Sequence, residues 1–507
     1  MPRSFNTAGP CQPDVHYTLP AAARLPDVRG IIEGRGHFVL HAPRQTGKTT
    51  AIRELAQQLT DEGRYAALMV SVEVGAAYRN DPDGMQRAVL RWVVDAARDL
   101  PRDLQPPAWS DQTTLGEGLA SWAAACPCPL VLFFDEVDAL QDDALTLFLR
   151  QLRAGYPRRP RSFPHSVCLV GMRDVRDYVV DGARLGTSSP FNIKVESLRL
   201  PDFTPADVAA LLGQHTAETG QVFLRGAVDR IWHYGRGQPW LTNALARACV
   251  RASGGPLDAA AVDAAADELI RRQDTHLDSL AHRLTEPRVQ AILWPMLSGE
   301  APTSLIPDDD TRYVEDLGLI RCPPAGGIEV ANPIYQQIIA RALAQVSKRF
   351  LPTAFSPAWL GPDGRLDPAR TLAAFLAFWR LHAEPLFASA TYPEIAAHLV
   401  MLAWLDRVAN GGGRVEREYA IGLGRMDVLL VHGDVRLAIE LKIRRANTAD
   451  PLAAGLEQLD GYLAGLGLDT GWLVIFDARP ERLPASERTT ATEVLTPAGR
   501  NVTVIRA

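Results

Sequence analysis

Apolar residues recur along this chain in two periods, and each predicts a different kind of element. The runs His37–Leu40, Leu130–Phe134 and Ser166–Val170 are short and almost wholly apolar, and Trp472–Phe476 resembles them. Such runs predict strands covered on both faces. Ala51–Leu59 follows the first run with helical spacing, which predicts a helix laid on the sheet. Towards the C-terminus, two apolar runs, Val428–Val431 and Val435–Leu441, meet at Gly433-Asp434, a hairpin signal. Helices are predicted from Thr371 to about Phe387, from Pro393 to about Asn410, and around Glu457–Tyr462. A strand is predicted over Arg414–Ala420. Between the two halves, Arg288–Leu297 and Asp309–Ile320 read as helices, followed by a short hairpin turning at Gly326-Gly327 with Ile328–Val330 as its return strand.

Counting outward from Gly433-Asp434 pairs His432 with Val435, Val431 with Arg436, and finally Asp427 with Glu440. Directly opposed residues project from one side of a sheet with Cβ atoms about 5 Å apart. Lys442, two residues beyond Glu440, shares that side. Opposed like charges destabilise a sheet, so this pair points to a cation. Two carboxylates and a lysine on one face suit a divalent-metal site for phosphodiester chemistry. The alternative is a solvated strand face.

The first apolar run leads into Ala42-Pro43-Arg44-Gln45-Thr46-Gly47-Lys48-Thr49-Thr50 and then a helix. Strand, G-K-T loop and helix form the context of a P-loop. Backbone N–H groups of such a loop attract phosphate. Lys48 is expected to reach the β- and γ-phosphates, Thr49 to ligate Mg²⁺ and Thr50 to touch the α-phosphate. Ala42 stands where the first glycine is usual. The run Leu130–Phe134 ends in Asp135-Glu136, a Walker B pattern in which Asp135 holds Mg²⁺ and Glu136 polarises the attacking water.

The chain of 507 residues implies three or four domains. Its net charge of −6 confines any nucleic-acid contact to local basic patches. Arg414, Arg417, Arg425, Arg444 and Arg445 flank the hairpin and suit a phosphate-tracking groove. No apolar run approaches membrane-spanning length and no signal-peptide pattern opens the chain, so a cytoplasmic protein with no membrane partner is expected. Six scattered cysteines read as reduced thiols. Cys126-Pro127-Cys128 lacks the second pair a metal site needs.

Two resemblances follow from these motifs. Asp427, Glu440 and Lys442 on a hairpin, with Glu394 on the preceding helix and Gln458 on the following one, resemble the PD-(D/E)XK nuclease superfamily over roughly residues 386–480. The resemblance implies that Asp427 and Glu440 ligate Mg²⁺, or Mn²⁺, and that Lys442 orients the attacking water. It gives Glu394 a supporting role and has Gln458 position substrate or water. Met426 replaces the proline that names the family. The N-terminal motifs are similar to prokaryotic AAA-like and STAND-like ATPases. Arg173, ending the run Ser166–Val170, stands where such proteins keep a γ-phosphate sensor. Gly235-Arg236-Gly237-Gln238-Pro239 is similar to the signature of their mobile lid, with Pro239 at the nucleotide.

The fold class expected is therefore multidomain α/β. Its parts are an N-terminal segment (1–28) over the nucleotide, a parallel-sheet P-loop core (29–200), a helical lid (201–283), a winged helix (284–350), a linker (351–370) and a PD-(D/E)XK nuclease-like domain (371–507). The acidic second helix of the winged unit, with Asp309, Asp310, Glu315 and Asp316 against Arg312, suits a protein contact better than a phosphate backbone. The function implied is an ATP-hydrolysing switch controlling a metal-dependent nuclease, with DNA favoured over RNA and a role in defence against mobile elements. A homo-oligomer and a protein trigger are compatible partners. The alternative is a regulatory ATPase scaffold or loader whose C-terminal fold only binds nucleic acid.

Overall fold

Five parallel strands build the sheet of the N-terminal unit: β1 (His37–His41), β2 (Ala66–Ser71), β3 (Leu130–Asp135), β4 (Ser166–Gly171) and β5 (Lys194–Arg199). Their lateral order is β2-β3-β4-β1-β5. In this computed structural model the chain divides into two compact units, Met1–Arg272 with Pro307–Pro333, and Gln273–Ile306 with Ile334–Ala507. The structure describes residues 2–20, 24–174, 179–180, 183–184, 193–272, 283–284, 286–297, 308–323, 327–339, 359–388, 393–409, 413–421, 424–445, 449–479 and 483–507. Some side chains within these helices and strands, those of Glu394 and Asp427 among them, lie outside the description.

Alternation along the strands sorts the first core into two layers. Val39, Leu132, Phe134 and Leu169 face one way, under α2 (Pro82–Ala96), α3 (Leu115–Ala125) and α4 (Asp142–Gly155). Phe38, Leu40, Val131, Phe133 and Val170 face the other, under the helix Val28–Glu33 and α1 (Lys48–Asp61). Both faces are thus covered, which is why β1, β3 and β4 are buried along their whole length. Four helices follow where a helical lid is expected: α5 (Pro205–Thr219), α6 (Arg225–Gly235), α7 (Pro239–Ala252) and α8 (Ala259–Arg272). Thr204 starts α5 with a capping box closed by Asp207.

The helix expected over 309–320 is shorter, running Asp308–Asp316. Gly318 adopts φ +77 and ends it, and Ile320–Arg321 instead pairs antiparallel with Glu329–Val330. The two helices expected to share a winged helix fall in different units, Pro287–Leu297 in the second and Asp308–Asp316 in the first.

In the second unit, α9 (Pro368–Ala388) and α10 (Pro393–Ala409) precede β6 (Gly413–Ile421), β7 (Gly424–His432) and β8 (Val435–Arg444). Then come α11 (Leu452–Leu466), β9 (Thr470–Asp477), β10 (Thr490–Leu495) and β11 (Asn501–Arg506). The mixed sheet runs β6-β7-β8-β9-β11-β10, antiparallel through β8 and parallel across β8, β9 and β11. Leu459 and Leu463 of α11 pack on Leu473 and Ile475, while Trp379 of α9 lies 4.9 Å from Phe476 on the opposite face. Residues 351–358 of the expected linker lie outside the description. Residues 359–367 form a closed turn instead of an open tether: Gly361 N–H donates to Arg365 O, Asp367 N–H donates to Trp359 O, and Trp359 is buried.

Candidate functional site

Parallel strands expose their C-terminal ends along one edge, where α/β sheets bind ligands. The P-loop leaves β1 at that edge, and Gly47 opens α1. Two loop residues have left-handed backbone, Gln45 (φ +59) and Gly47 (φ +87). Ala42 is not among the positive-φ positions, so this loop needs a glycine at 47 and tolerates a methyl at 42. Lys48 Nζ donates to Ala42 O at 2.7 Å and Pro43 O at 2.8 Å. Thr46 Oγ1 donates to Pro43 O at 2.9 Å. The loop is therefore closed on its own lysine, with backbone N–H groups left for an anion.

Ser71 and Asp135 are lateral partners on β2 and β3, which brings the Walker B acids to the start of α1. Thr49 Oγ1 donates to Asp135 Oδ2 at 2.7 Å. Ser71 Oγ donates to Glu136 Oε2 at 2.6 Å. Glu136 itself is held at φ +60, a strained conformation for a residue with a side chain. Burial pushes the Lys48 ammonium down to about 8, against the pull of Asp138 and Asp135. Burial also raises the Asp135 carboxyl, opposed by the Thr49 hydroxyl. A hydroxyl and a carboxylate oxygen in contact, both hard donors, fit Mg²⁺.

A cleft of about 500 Å³ opens over the loop. Of the residues expected there, Gln45, Gly47, Lys48, Thr49, Thr50, Asp135, Glu136 and Pro239 line it. Pro43, Arg44, Thr46 and Arg173 do not. Arg44 Nε contacts Met172 Sδ at 3.3 Å, and the Arg173 guanidinium lies 5.4 Å from the Tyr313 ring centroid. The N-terminal segment supplies much of the opposite wall, including Asn6, Thr7 and Cys11. It is tied to the core by Cys11 N–H donating to Thr50 Oγ1 at 3.0 Å, and to the lid by Trp240 Nε1 donating to Thr7 O at 3.0 Å. Lining residues that escaped sequence reasoning include Arg24, Phe203 and Asn243. Nothing in their local spacing marks them, because the tertiary fold alone brings them to the loop.

In the second unit, the hairpin register runs His432↔Val435, Val431↔Arg436 and on to Val428↔Ile439, one step short of Asp427 and Glu440. Glu440 is wholly buried. Lys442 Nζ donates to Glu440 Oε1 at 2.7 Å and to Gln458 Oε1 at 2.9 Å, and Gln458 Nε2 donates to Tyr462 Oη at 2.8 Å. The structure thus gathers Glu440, Lys442 and Gln458. It places Asp427 on β7 and Glu394 on α10 without describing their side chains. Among the described residues, no three His, Cys, Asp or Glu side chains cluster to hold a metal. Of the flanking arginines, Arg444 lies 3.7 Å from Asp450. No described helix is long and apolar enough to cross a membrane.

Residues 31–179 match the family described as an AAA domain. No curated protein matches the chain. Among solved structures it is similar to the Walker-type ATPase PABY2304 of Pyrococcus abyssi, at 13% identity over 66% of this chain and 99% of that one, TM-score 0.48. It is also similar to ORC2 of Aeropyrum pernix (13% identity, 64% and 93%, TM-score 0.37). The RuvB Holliday junction branch migration motor of Thermotoga maritima gives 16% identity, 62% and 92%, TM-score 0.34. With the geometry above, the family match supports an ATP-binding, parallel-sheet P-loop ATPase core in the N-terminal unit.

Proposed function

We propose that this chain is an ATP-dependent switch whose P-loop unit controls a metal-dependent phosphodiesterase in the second unit, acting on nucleic acid and on DNA in preference to RNA. ATP binds with Mg²⁺ at Lys48, Thr49 and Asp135, and Glu136 directs the water that hydrolyses it. In the second unit Glu440, with Asp427 one residue beyond the last pair Val428↔Ile439, would hold Mg²⁺ or Mn²⁺, which would supply a Lewis acid for the scissile phosphate. Lys442 orients the water, and Gln458 orients Lys442.

The observation that carries this reading is the wholly buried carboxylate of Glu440, held at 2.7 Å by a lysine that a glutamine fixes in turn. Burying the Glu440 carboxylate beside an apolar core, with only a partly exposed lysine against it, is costly, and an apolar residue in its place is commonly neutral or better for stability. A pair on a strand next to a second acid is more economically explained by chemistry than by folding.

The test is cleavage of single-stranded DNA, duplex DNA and RNA by the full-length chain with Mg²⁺ or Mn²⁺, with and without ATP. Glu440→Gln should abolish cleavage, and Lys442→Ala should slow it about 10²–10³-fold, the usual loss for an electrostatic donor. Wild-type chain that binds DNA and cuts none of the three would make the second unit a binding module.

A further inference from the structure

Arg24 reaches the nucleotide cleft from outside every motif described so far. It lies near the end of the N-terminal segment, just before the helix Val28–Glu33. Its Nη2 donates to Thr46 O of the P-loop at 2.9 Å and to Pro201 O, just beyond β5, at 2.5 Å. The guanidinium carbon lies 4.9 Å from the ring centroid of Phe203, at the entrance to the lid. Nη1 stands 3.3 Å from the point a Cβ on Gly47 would occupy, so it faces the glycine of the loop. Neither Nη1 nor the buried Nε makes a hydrogen bond among the described residues.

This is an incomplete environment for a cation. Burial draws the guanidinium down to about 10, against Asp202 and Asp207, so it stays charged at neutral pH. Two carbonyls satisfy one nitrogen, and Nη1 faces the Gly47 turn of a loop of the kind that binds phosphate through its backbone N–H groups. A planar fork with donors to spare matches phosphate better than any other common ligand group. A carboxylate partner would be expected if the role were structural alone, and no ion pair with Arg24 occurs among the described residues.

We propose that Arg24 is a phosphate-binding residue of the cleft, donating through Nη1 to the diphosphate portion of the bound nucleotide at the Gly47 turn. The assignment rests on the ATP-binding reading above and adds to it a cation that the loop motif does not contain. Since the same side chain holds Pro201 and Phe203, it also links the phosphates to the segment that opens the lid.

The experiment measures displacement of a fluorescent ADP analogue from the full-length chain by ADP, pyrophosphate and adenosine. In Arg24→Ala, ADP and pyrophosphate should each weaken about tenfold or more, the scale of a charge-assisted hydrogen bond. Adenosine should compete as it does with wild type. Arg24→Lys, which keeps the charge and loses the fork, should fall between, and it serves as the variant if Arg24→Ala does not fold. Equal weakening of adenosine and ADP would reduce Arg24 to a clamp on the loop. Unchanged ADP and pyrophosphate would remove it from the site altogether. Failure of the wild-type chain to bind ADP would instead count against the nucleotide reading itself.

Discussion

Lys48 is bound to the carbonyls of Ala42 and Pro43 at the root of its own loop. An incoming polyphosphate offers stronger, charged acceptors to the same ammonium. Lys48→Ala should therefore lose about 10–100-fold in affinity for a non-hydrolysable ATP analogue, measured by calorimetry, with little loss of fold. A second residue sets a pH limit on the N-terminal unit. Burial pushes the His37 imidazole down to about 3, with Arg159 adding to the effect. Its folded value lies below its unfolded value, so the unfolded chain binds the extra proton. The stability it contributes is complete above about pH 6.5 and is lost as pH falls toward 3. His37→Gln should flatten the acid limb of a plot of Tm against pH. An acid limb of unchanged slope would show that other groups set it.

The turn between α6 and α7, just before the cleft residue Pro239, leaves no room for a side chain. Gly237 has φ +85, and a Cβ there would lie 2.0 Å from Phe203 O. Gly237→Ala should destabilise the N-terminal unit by more than about 2 kcal/mol, seen as a lowered Tm, and should weaken nucleotide binding because Pro239 and Trp240 follow directly. At this scale much was legible. Gly433-Asp434 announces the hairpin register, because a two-residue turn leaves only one pairing. The strand-loop-helix context announces the P-loop. The boundary at Asp316 was not legible, since Tyr313, Val314 and Leu317 continue a helical pattern and only the pairing of Ile320 with Val330 breaks it. Arg24 was not legible either. A lone arginine carries no period, and its surroundings, the carbonyls of Thr46 and Pro201, the Phe203 ring and Gly47, come from distant parts of the chain.

At the level of the whole molecule, control of one site by the other requires that ATP bind two conformations of the chain with different affinity. Lys48→Ala and Glu136→Gln, which respectively weaken ATP binding and prolong it, should shift the rate of DNA cleavage in opposite directions. The rate is read as release of acid-soluble nucleotide with Mg²⁺ and saturating ATP. Equal rates in both variants and the wild type would mean that the sites share a chain and nothing else.

The N-terminal unit is assembled from two stretches of chain, with residues 273–306 assigned elsewhere between them. What returns after that interruption is no ornament. Asp316 comes back within 3.1 Å of buried His41 at the end of β1, Glu315 receives Arg199 at 2.7 Å, and Gly318 lies against Pro43. A gene cut after codon 272 would thus yield a sheet whose strand β1 ends in a buried imidazole stripped of its carboxylate. For the same reason no single breakpoint exchanges the second unit whole, because its two stretches lie on either side of 307–333. An exchange that keeps both units intact needs breakpoints on both sides of 307–333.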